Sequence, residues 1–70
     1  MKLKEARVRK YFSMAELAKK AKVSLATIRD TEGGKRLPSL TTCRKLAEAL
    51  DMNPDEIDEF REALEKALRE

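Results

Sequence analysis

Three short segments of the chain repeat the same signal for the start of a helix. In each, an apolar residue precedes a small polar residue, and a second apolar residue follows four positions after the polar one. The three sets are Phe12-Ser13 with Leu17, Val23-Ser24 with Ile28, and Met52-Asn53 with Ile57. Such apolar pairs pack together around a capping residue and fix how the chain enters the helix. The sequence therefore predicts helices that begin near residues 14, 25 and 54.

Two more helices complete the prediction. Ser39 caps a fourth helix after Pro38, and the spacing of Leu3 and Ala6 suits a short first helix. The predicted helices cover about residues 2–10, 14–20, 25–32, 40–50 and 54–69. Nine alanines and nine leucines outnumber eight β-branched residues, and only two glycines and two prolines interrupt the chain, which favours helix over strand. We therefore predict one all-α bundle of five helices.

The chain lacks the residues that several classes of site require. Cys43 is the only cysteine and there is no histidine, which excludes an internal disulfide and a Cys/His zinc site built from this chain alone. There is no histidine base and no recognisable nucleophile pair, so we predict no enzyme and no cofactor. The apolar runs are too short for a membrane span or a secretory signal, so we expect a cytoplasmic protein. Cys43 falls on the apolar stripe of the fourth helix and is expected in the core.

Charge divides the chain into two parts. Residues 1–50 carry thirteen Lys/Arg and five Asp/Glu, a net charge of +8, whereas residues 51–70 carry three and eight, a net charge of −5. A basic body suggests a polyanion as partner, with the acidic end facing away from it. The alternative is that both regions are ordinary solvated surface.

The connection between the second and third predicted helices is only three residues long, which forces them to cross steeply. In this region the chain resembles the helix-turn-helix domain of the phage repressor and Cro type, the XRE family, over residues 3–57. The elements that carry the resemblance are Leu17-Ala18, Val23-Ser24, Ile28, Glu32, Gly34-Lys35, Pro38-Ser39-Leu40 and the pair Ala47 and Leu50. The resemblance implies a lambda-repressor-like bundle, with helices 2 and 3 as the helix-turn-helix.

Three positions differ from the family's pattern, and one stretch is similar to another family. Lys22 stands where the turn usually has glycine, so we expect a positive φ there at a cost of about 1 kcal/mol. Thr31 replaces a large apolar residue, and Met14 replaces a glutamine that lies beside phosphate. The stretch around Arg29 is also similar to the MerR type, a minor alternative, because a helical segment follows where that type has a wing.

The third helix offers candidate base contacts. At about 100° per residue, Ile28 marks the buried face and the opposite face turns outward. In a repressor-type domain that face enters the major groove. The predicted base-contacting residues are Leu25, Ala26, Arg29 and Asp30. Leu25 and Ala26 suit a thymine methyl, while charged side chains suit guanine or cytosine edges. The alternative is that Asp30 pairs with a neighbour and Leu25 packs at the helix start.

The resemblance also implies phosphate contacts at the start of helix 2 and in the loop after helix 3, and we predict further ones at the start of helix 3. The predicted residues are Ser13, Met14, Ser24, Thr27, Gly33, Gly34, Lys35 and Arg36. A flexible basic loop that only caps helix 3 is the alternative for the last four. A further family pair, Arg7 and Glu32, implies a partly buried salt bridge with a structural role, for which Arg29 competes.

The acidic end carries an apolar stripe at helical spacing, formed by Ile57, Phe60, Leu64 and Ala67 with Leu68 beside it. We divide the chain into a DNA-binding domain, residues 1–57, and a helical extension, residues 58–70. We expect Phe60, Leu64, Ala67 and Leu68 to form a homodimer contact. Packing of this stripe within the monomer is the alternative.

Together these features predict a sequence-specific regulator that binds double-stranded DNA as a homodimer, acts as a repressor, and lies on the nucleoid when bound. We expect no membrane partner and find no sign of a small-molecule effector. The opposing hypothesis is a protein-interaction module, antitoxin-like or adaptor, on the same fold, in which Leu25, Ala26 and the apolar stripe contact protein.

Overall fold

The computed structural model describes residues 1–70 and is all-helical, which confirms the predicted fold class. Its helices are α1 (Leu3–Arg9), α2 (Met14–Ala21), α3 (Leu25–Glu32), α4 (Leu40–Leu50) and α5 (Asp58–Arg69), with a 3-10 turn at Pro54–Glu56 before α5. None of these helices has the length and apolar character needed to cross a membrane.

Serine side chains start three of the helices at the predicted positions. Ser13 Oγ accepts a hydrogen bond from Glu16 N at 3.0 Å, and the Glu16 carboxylate accepts one in return from Ser13 N at 2.8 Å. Ser24 and Ser39 each accept from the backbone N–H three residues later, both at 3.1 Å. Each cap satisfies a donor that the first helical turn leaves unpaired, so the starts of α2, α3 and α4 are confirmed.

Helices α1 to α4 all end in one backbone motif. In each, a residue in the left-handed region donates its N–H to the carbonyl three residues earlier, and the next N–H donates to the carbonyl five residues earlier. The left-handed residues are Tyr11 (φ 64°), Lys22 (φ 60°), Gly34 (φ 75°) and Asp51 (φ 54°). Only one of the four is glycine, the residue that takes this conformation without strain. The positive φ predicted at Lys22 is confirmed.

One apolar side chain follows the left-handed residue at three of these ends. Phe12, Val23 and Met52 are half-buried and pack against the core. Each also stands directly before the cap of the following element. The same side chain therefore anchors the end of one helix and the start of the next, which allows connections only a few residues long.

The core is one cluster that draws on every helix. Its fully buried large members include Leu3, Leu17, Ile28, Leu46 and Leu50. Cys43 is also buried in this cluster, as predicted. Burial raises the pKa of the Cys43 thiol to about 11, so the thiol stays protonated at neutral pH and is a poor nucleophile.

The predicted start of the fifth helix at residue 54 is wrong. Asn53 and Glu56 do form a capping box, but they enclose the 3-10 turn and not an α-helix. Ile57 is extended, with φ −113° and ψ 122°, and α5 begins at Asp58. Asp58 N donates to the Met1 carbonyl at 2.8 Å. This break turns α5 back onto the body and places the Ile57 side chain in the core.

The prediction that Phe60 contacts a second subunit is also wrong. Phe60 is only 2% exposed and belongs to the core of the monomer, together with Ala63 one turn later. Leu64 and Leu68 remain 42% and 77% exposed, and Ala67 is half-buried. The core therefore continues past residue 57, and only the outer part of the predicted stripe stays free.

Arg7 joins three parts of the fold through its guanidinium group. Its Nε donates to Glu32 Oε2 at 2.7 Å and its Nη2 to Glu32 Oε1 at 3.1 Å, while Nη1 donates to the Phe12 carbonyl at 2.8 Å. The two charged side chains are 9% and 4% exposed. The structure thus brings Arg7 and Glu32 together and leaves Arg29 out of the pair. This contact ties α1 to the end of α3 and to the turn before α2.

Replacing Lys22 with glycine should stabilise the fold. Glycine removes left-handed strain of about 1 to 2 kcal/mol and adds backbone entropy of about 0.5 to 1 kcal/mol to the unfolded chain. We expect Lys22→Gly to raise the free energy of unfolding by up to about 1 kcal/mol in urea titrations. Lys19→Gly removes the same charge from the helical part of α2 and should lower it by about 1 kcal/mol. Equal effects of the two substitutions would contradict the strain at Lys22.

Breaking the Arg7 pair from one side should destabilise the fold more than removing both charges. Arg7→Met or Glu32→Met leaves a buried charge without its partner, and we expect losses of about 3 to 5 kcal/mol. The double variant should lose less than either single variant, and therefore clearly less than their sum. Arg9→Met is the control, because it breaks the exposed Arg9–Glu5 pair and should cost less than about 1 kcal/mol. Additive effects in the double-mutant cycle would show that Arg7 and Glu32 do not couple.

Candidate nucleic-acid interface

The α2–α3 pair has the geometry of a helix-turn-helix. Three residues, Lys22 to Ser24, join the two helices, and the left-handed Lys22 ends α2. Val23 packs against the core, and Ile28 of α3 is fully buried in it. These contacts fix which face of α3 is turned inward, and Thr31 continues that buried face.

The opposite face of α3 carries the predicted base-contacting residues. Leu25, Ala26 and Arg29 are exposed, and Asp30 is half-buried. The three ion pairs of the chain join other residues, so Arg29 and Asp30 are free of charged protein partners. The structure therefore brings the four residues together on one accessible face with a cation and an anion available for hydrogen bonds.

The start of α2 carries free hydrogen-bond donors together with one negative charge, which would repel a phosphate. The N–H groups of Met14 and Ala15 have no acceptor within the chain, as is usual in a first helical turn. Ser13 Oγ is engaged as an acceptor but can still donate its hydrogen. Hydrogen bonds from Ser13, mainly from its backbone N–H, hold the pKa of Glu16 below its usual value, so a negative charge is also present here. The Met14 side chain packs on the core, which leaves its backbone as the polar contact it can offer.

The start of α3 has a second pair of hydroxyl groups. Ser24 Oγ and Thr27 Oγ1 lie 2.7 Å apart, and Ser24 Oγ also caps the Thr27 N–H. One of the two hydroxyls donates to the other, so one hydrogen remains available to an outside acceptor. Ser24 is exposed and Thr27 is half-buried, which places both predicted residues at the accessible start of the outward helix.

The loop after α3 combines two glycines with two free cations. Gly34 has φ 75°, and a Cβ added there would meet nothing within 4 Å, so the backbone lies open to solvent. A Cβ at Gly33 would stand 3.2 Å from the Arg29 carbonyl oxygen, closer than most Cβ contacts. Lys35 and Arg36 are exposed and belong to none of the ion pairs. The loop thus presents bare backbone and two positive charges at the end of the outward helix.

Two further lysines, Lys2 and Lys4, lie in one cleft with this loop, which the sequence did not predict. A charged cleft of about 670 Å³ lies between the start of α1, the loop after α3 and α5. Its cations are Lys2, Lys4, Lys35 and Arg36, and its acids include Glu59 and Glu62. The basic N-terminal run was visible in the sequence, but its position beside the loop depends on how α1 packs.

The comparison with family models agrees with the helix-turn-helix geometry. No curated protein matches this chain. The family model described as helix-turn-helix matches residues 3–57, which include α1 to α4 and the 3-10 turn. This match spans more than three quarters of the 70 residues. The chain therefore belongs to the helix-turn-helix family of the XRE type, a family of DNA-binding regulators and not of enzymes.

Proposed function

We propose that this protein is a transcriptional repressor that binds a specific double-stranded DNA site as a homodimer, with α3 in the major groove. The observation that carries the proposal is the outward face of α3, where Arg29 and Asp30 lie free of ion pairs next to Leu25 and Ala26. A helix of this kind presents its N-terminal half to base edges. The family membership supports the DNA-binding role of the same face.

Two groups of residues that suit phosphate contacts support this docking. The free N–H groups at the start of α2 suit a phosphate oxygen, and the loop with Lys35 and Arg36 supplies charge at the other end. Lysine and arginine beside phosphates gain affinity by releasing counterions, whatever the base sequence. On this docking, the loop supplies affinity for any duplex, and α3 supplies selectivity among duplex sequences.

The two assignments predict different effects of substitution. Lys35→Ala and Arg36→Ala should weaken binding to all duplexes about equally and each reduce the salt slope by about 1. Arg29→Ala and Asp30→Ala should instead change which duplexes are preferred, with about 1 to 3 kcal/mol at the affected base pair. Fluorescence anisotropy over about 50 to 200 mM salt, after selection of duplexes from a random pool, would measure both.

The control for the loop is Lys45→Ala, which removes one exposed charge from α4 on the side away from the core. It should change affinity less than either loop variant. Unchanged affinity and salt slope in both loop variants would exclude the proposed docking. A wild-type protein that binds no duplex at low salt would exclude the proposed function itself.

A second candidate function is protein recognition by the same fold. It is favoured by the apolar character of Leu25 and Ala26, which can contact a thymine methyl but equally another protein. If this second function holds, the wild-type protein should bind no duplex even at low salt. Leu25→Asp should then abolish binding to the protein partner. The salt dependence above separates the two functions.

The dimer contact we propose differs from the stripe predicted from the sequence, because Phe60 of that stripe is in the core of the monomer. Leu64 lines one groove with Leu40, and Ala67 lines another with Leu37 and Leu40. Leu68 is exposed one turn after Leu64. Two grooves, of about 400 and 280 Å³, meet at Leu40. The proposed dimer surface is Leu37, Leu40, Leu64, Ala67 and Leu68. A two-fold partner there would present two copies of α3 to half-sites about 34 Å apart.

Loss of the exposed leucines should shift the chain to monomer without unfolding it. Each leucine contributes up to about 1.5 to 3 kcal/mol when a partner buries it fully. We expect sedimentation equilibrium to show a dimer for the wild type at micromolar concentration and a monomer for Leu64→Asp/Leu68→Asp, with unchanged helical circular dichroism. DNA affinity should fall most on palindromic duplexes and little on half-sites.

Val8→Asp is the control for this test, because Val8 is an exposed apolar residue on α1, outside the proposed surface. It should leave the dimer intact. A monomeric wild type, or a double variant that remains dimeric, would refute the proposed dimer surface.

A further inference from the structure

Tyr11 has two features that folding alone does not explain. Its φ of 64° strains a bulky side chain, and the residue is 93% exposed. The end of α1 needs a left-handed residue, but glycine would meet that need without strain, as it does at Gly34. The tyrosine side chain therefore adds strain and exposed aromatic surface without adding packing. Lys22 and Asp51 share the left-handed conformation, but only Tyr11 combines it with an exposed aromatic ring.

The backbone at Tyr11 is held in place from both sides. Tyr11 N donates to the Val8 carbonyl at 2.9 Å, and Phe12 N donates to the Arg7 carbonyl at 3.1 Å. The buried Arg7 guanidinium also donates to the Phe12 carbonyl at 2.8 Å. The Cα–Cβ bond of Tyr11 therefore points in a fixed direction away from the body.

The surroundings of Tyr11 suit a negatively charged partner. Lys10 is exposed directly before it, and Lys20 Nζ stands 5.0 Å from the centre of the Phe12 ring directly after it. The acids closest to Tyr11 along the chain are Glu5, which pairs with Arg9, and Glu16, which is bound in the Ser13 capping box. Phe12 faces the core, so Tyr11 is the aromatic residue that this turn offers to a partner.

Tyr11 is also close to the start of α2. Two residues separate it from Ser13, a span of at most about 7 Å. The free N–H groups of Met14 and Ala15 follow immediately. A tyrosine hydroxyl at this distance can reach the same phosphate backbone that those groups face.

We propose that Tyr11 is an additional DNA-contacting residue, whose phenol hydroxyl donates to a phosphate oxygen beside the start of α2 and whose ring covers the adjacent sugar. This inference rests on the proposed function. Such a contact is independent of base sequence. It explains why the chain keeps a strained tyrosine where glycine would fold better.

Two substitutions at Tyr11 test the proposal. Tyr11→Phe removes only the hydroxyl and should lower affinity for every duplex about 2- to 10-fold, the range of one lost hydrogen bond. Tyr11→Gly should lower affinity at least as much while raising the midpoint of urea unfolding, so lost binding could not be attributed to unfolding. Asp51→Gly relieves left-handed strain at the end of α4 and should leave affinity unchanged.

A spectroscopic measurement locates the contact directly. Tyr11 is the only tyrosine, so 3-fluorotyrosine labels this position alone, and its ¹⁹F resonance should shift when duplex is added. Wild-type binding with an unshifted resonance and full affinity in both Tyr11 variants would overturn the inference and leave the proposed function standing. Failure of the wild type to bind any duplex at low salt would overturn both.

Discussion

The fold depends on how a short chain turns between helices without leaving backbone groups unpaired. At the ends of α1, α2 and α4, one left-handed residue satisfies the last carbonyl groups, and the apolar residue after it enters the core. The next residue caps the following element. Because each connection consists of only a few residues, the direction of each helix is coupled to that of the helix before it. The outward face of α3 is a consequence of this coupling, since Lys22 and Val23 determine how α3 leaves α2.

These short connections require strained backbone conformations, and other contacts in the fold must offset their cost. Tyr11, Lys22 and Asp51 each hold a left-handed conformation that costs about 1 kcal/mol or more, a substantial part of the about 5 to 15 kcal/mol that stabilises a typical domain. The buried Arg7–Glu32 pair holds the turn at Tyr11 in place and the end of α3 against α1. A buried pair of this kind adds little net stability, but it specifies one arrangement because losing either partner is so costly.

Local signals in the sequence predicted those parts of the structure that local contacts determine. Ser13, Ser24 and Ser39 marked true helix starts because a cap involves only the next three residues. The signal at Asn53 is of the same kind, yet it encloses a 3-10 turn. The chain becomes extended at Ile57, where the next N–H, that of Asp58, donates to the carbonyl of the distant Met1. Likewise the helical period correctly separated the two faces of α3, but it could not tell that Phe60 would be buried by α5 turning back. The position of Lys2 and Lys4 beside the loop also depends on tertiary packing.

The basic and acidic parts of the chain meet at one cleft of the fold. Glu59 accepts a hydrogen bond from Leu3 N at 2.9 Å, which holds acidic α5 against the start of α1. The charged cleft therefore has Lys35 and Arg36 on one wall and the acids of α5 on another. Under the proposed docking, a phosphate backbone that follows the loop past Arg36 meets Glu59 and Glu62, which repel it. On that docking, the acidic helix would limit how far DNA extends along this side, and the same segment that completes the core would also bound the proposed DNA-binding surface.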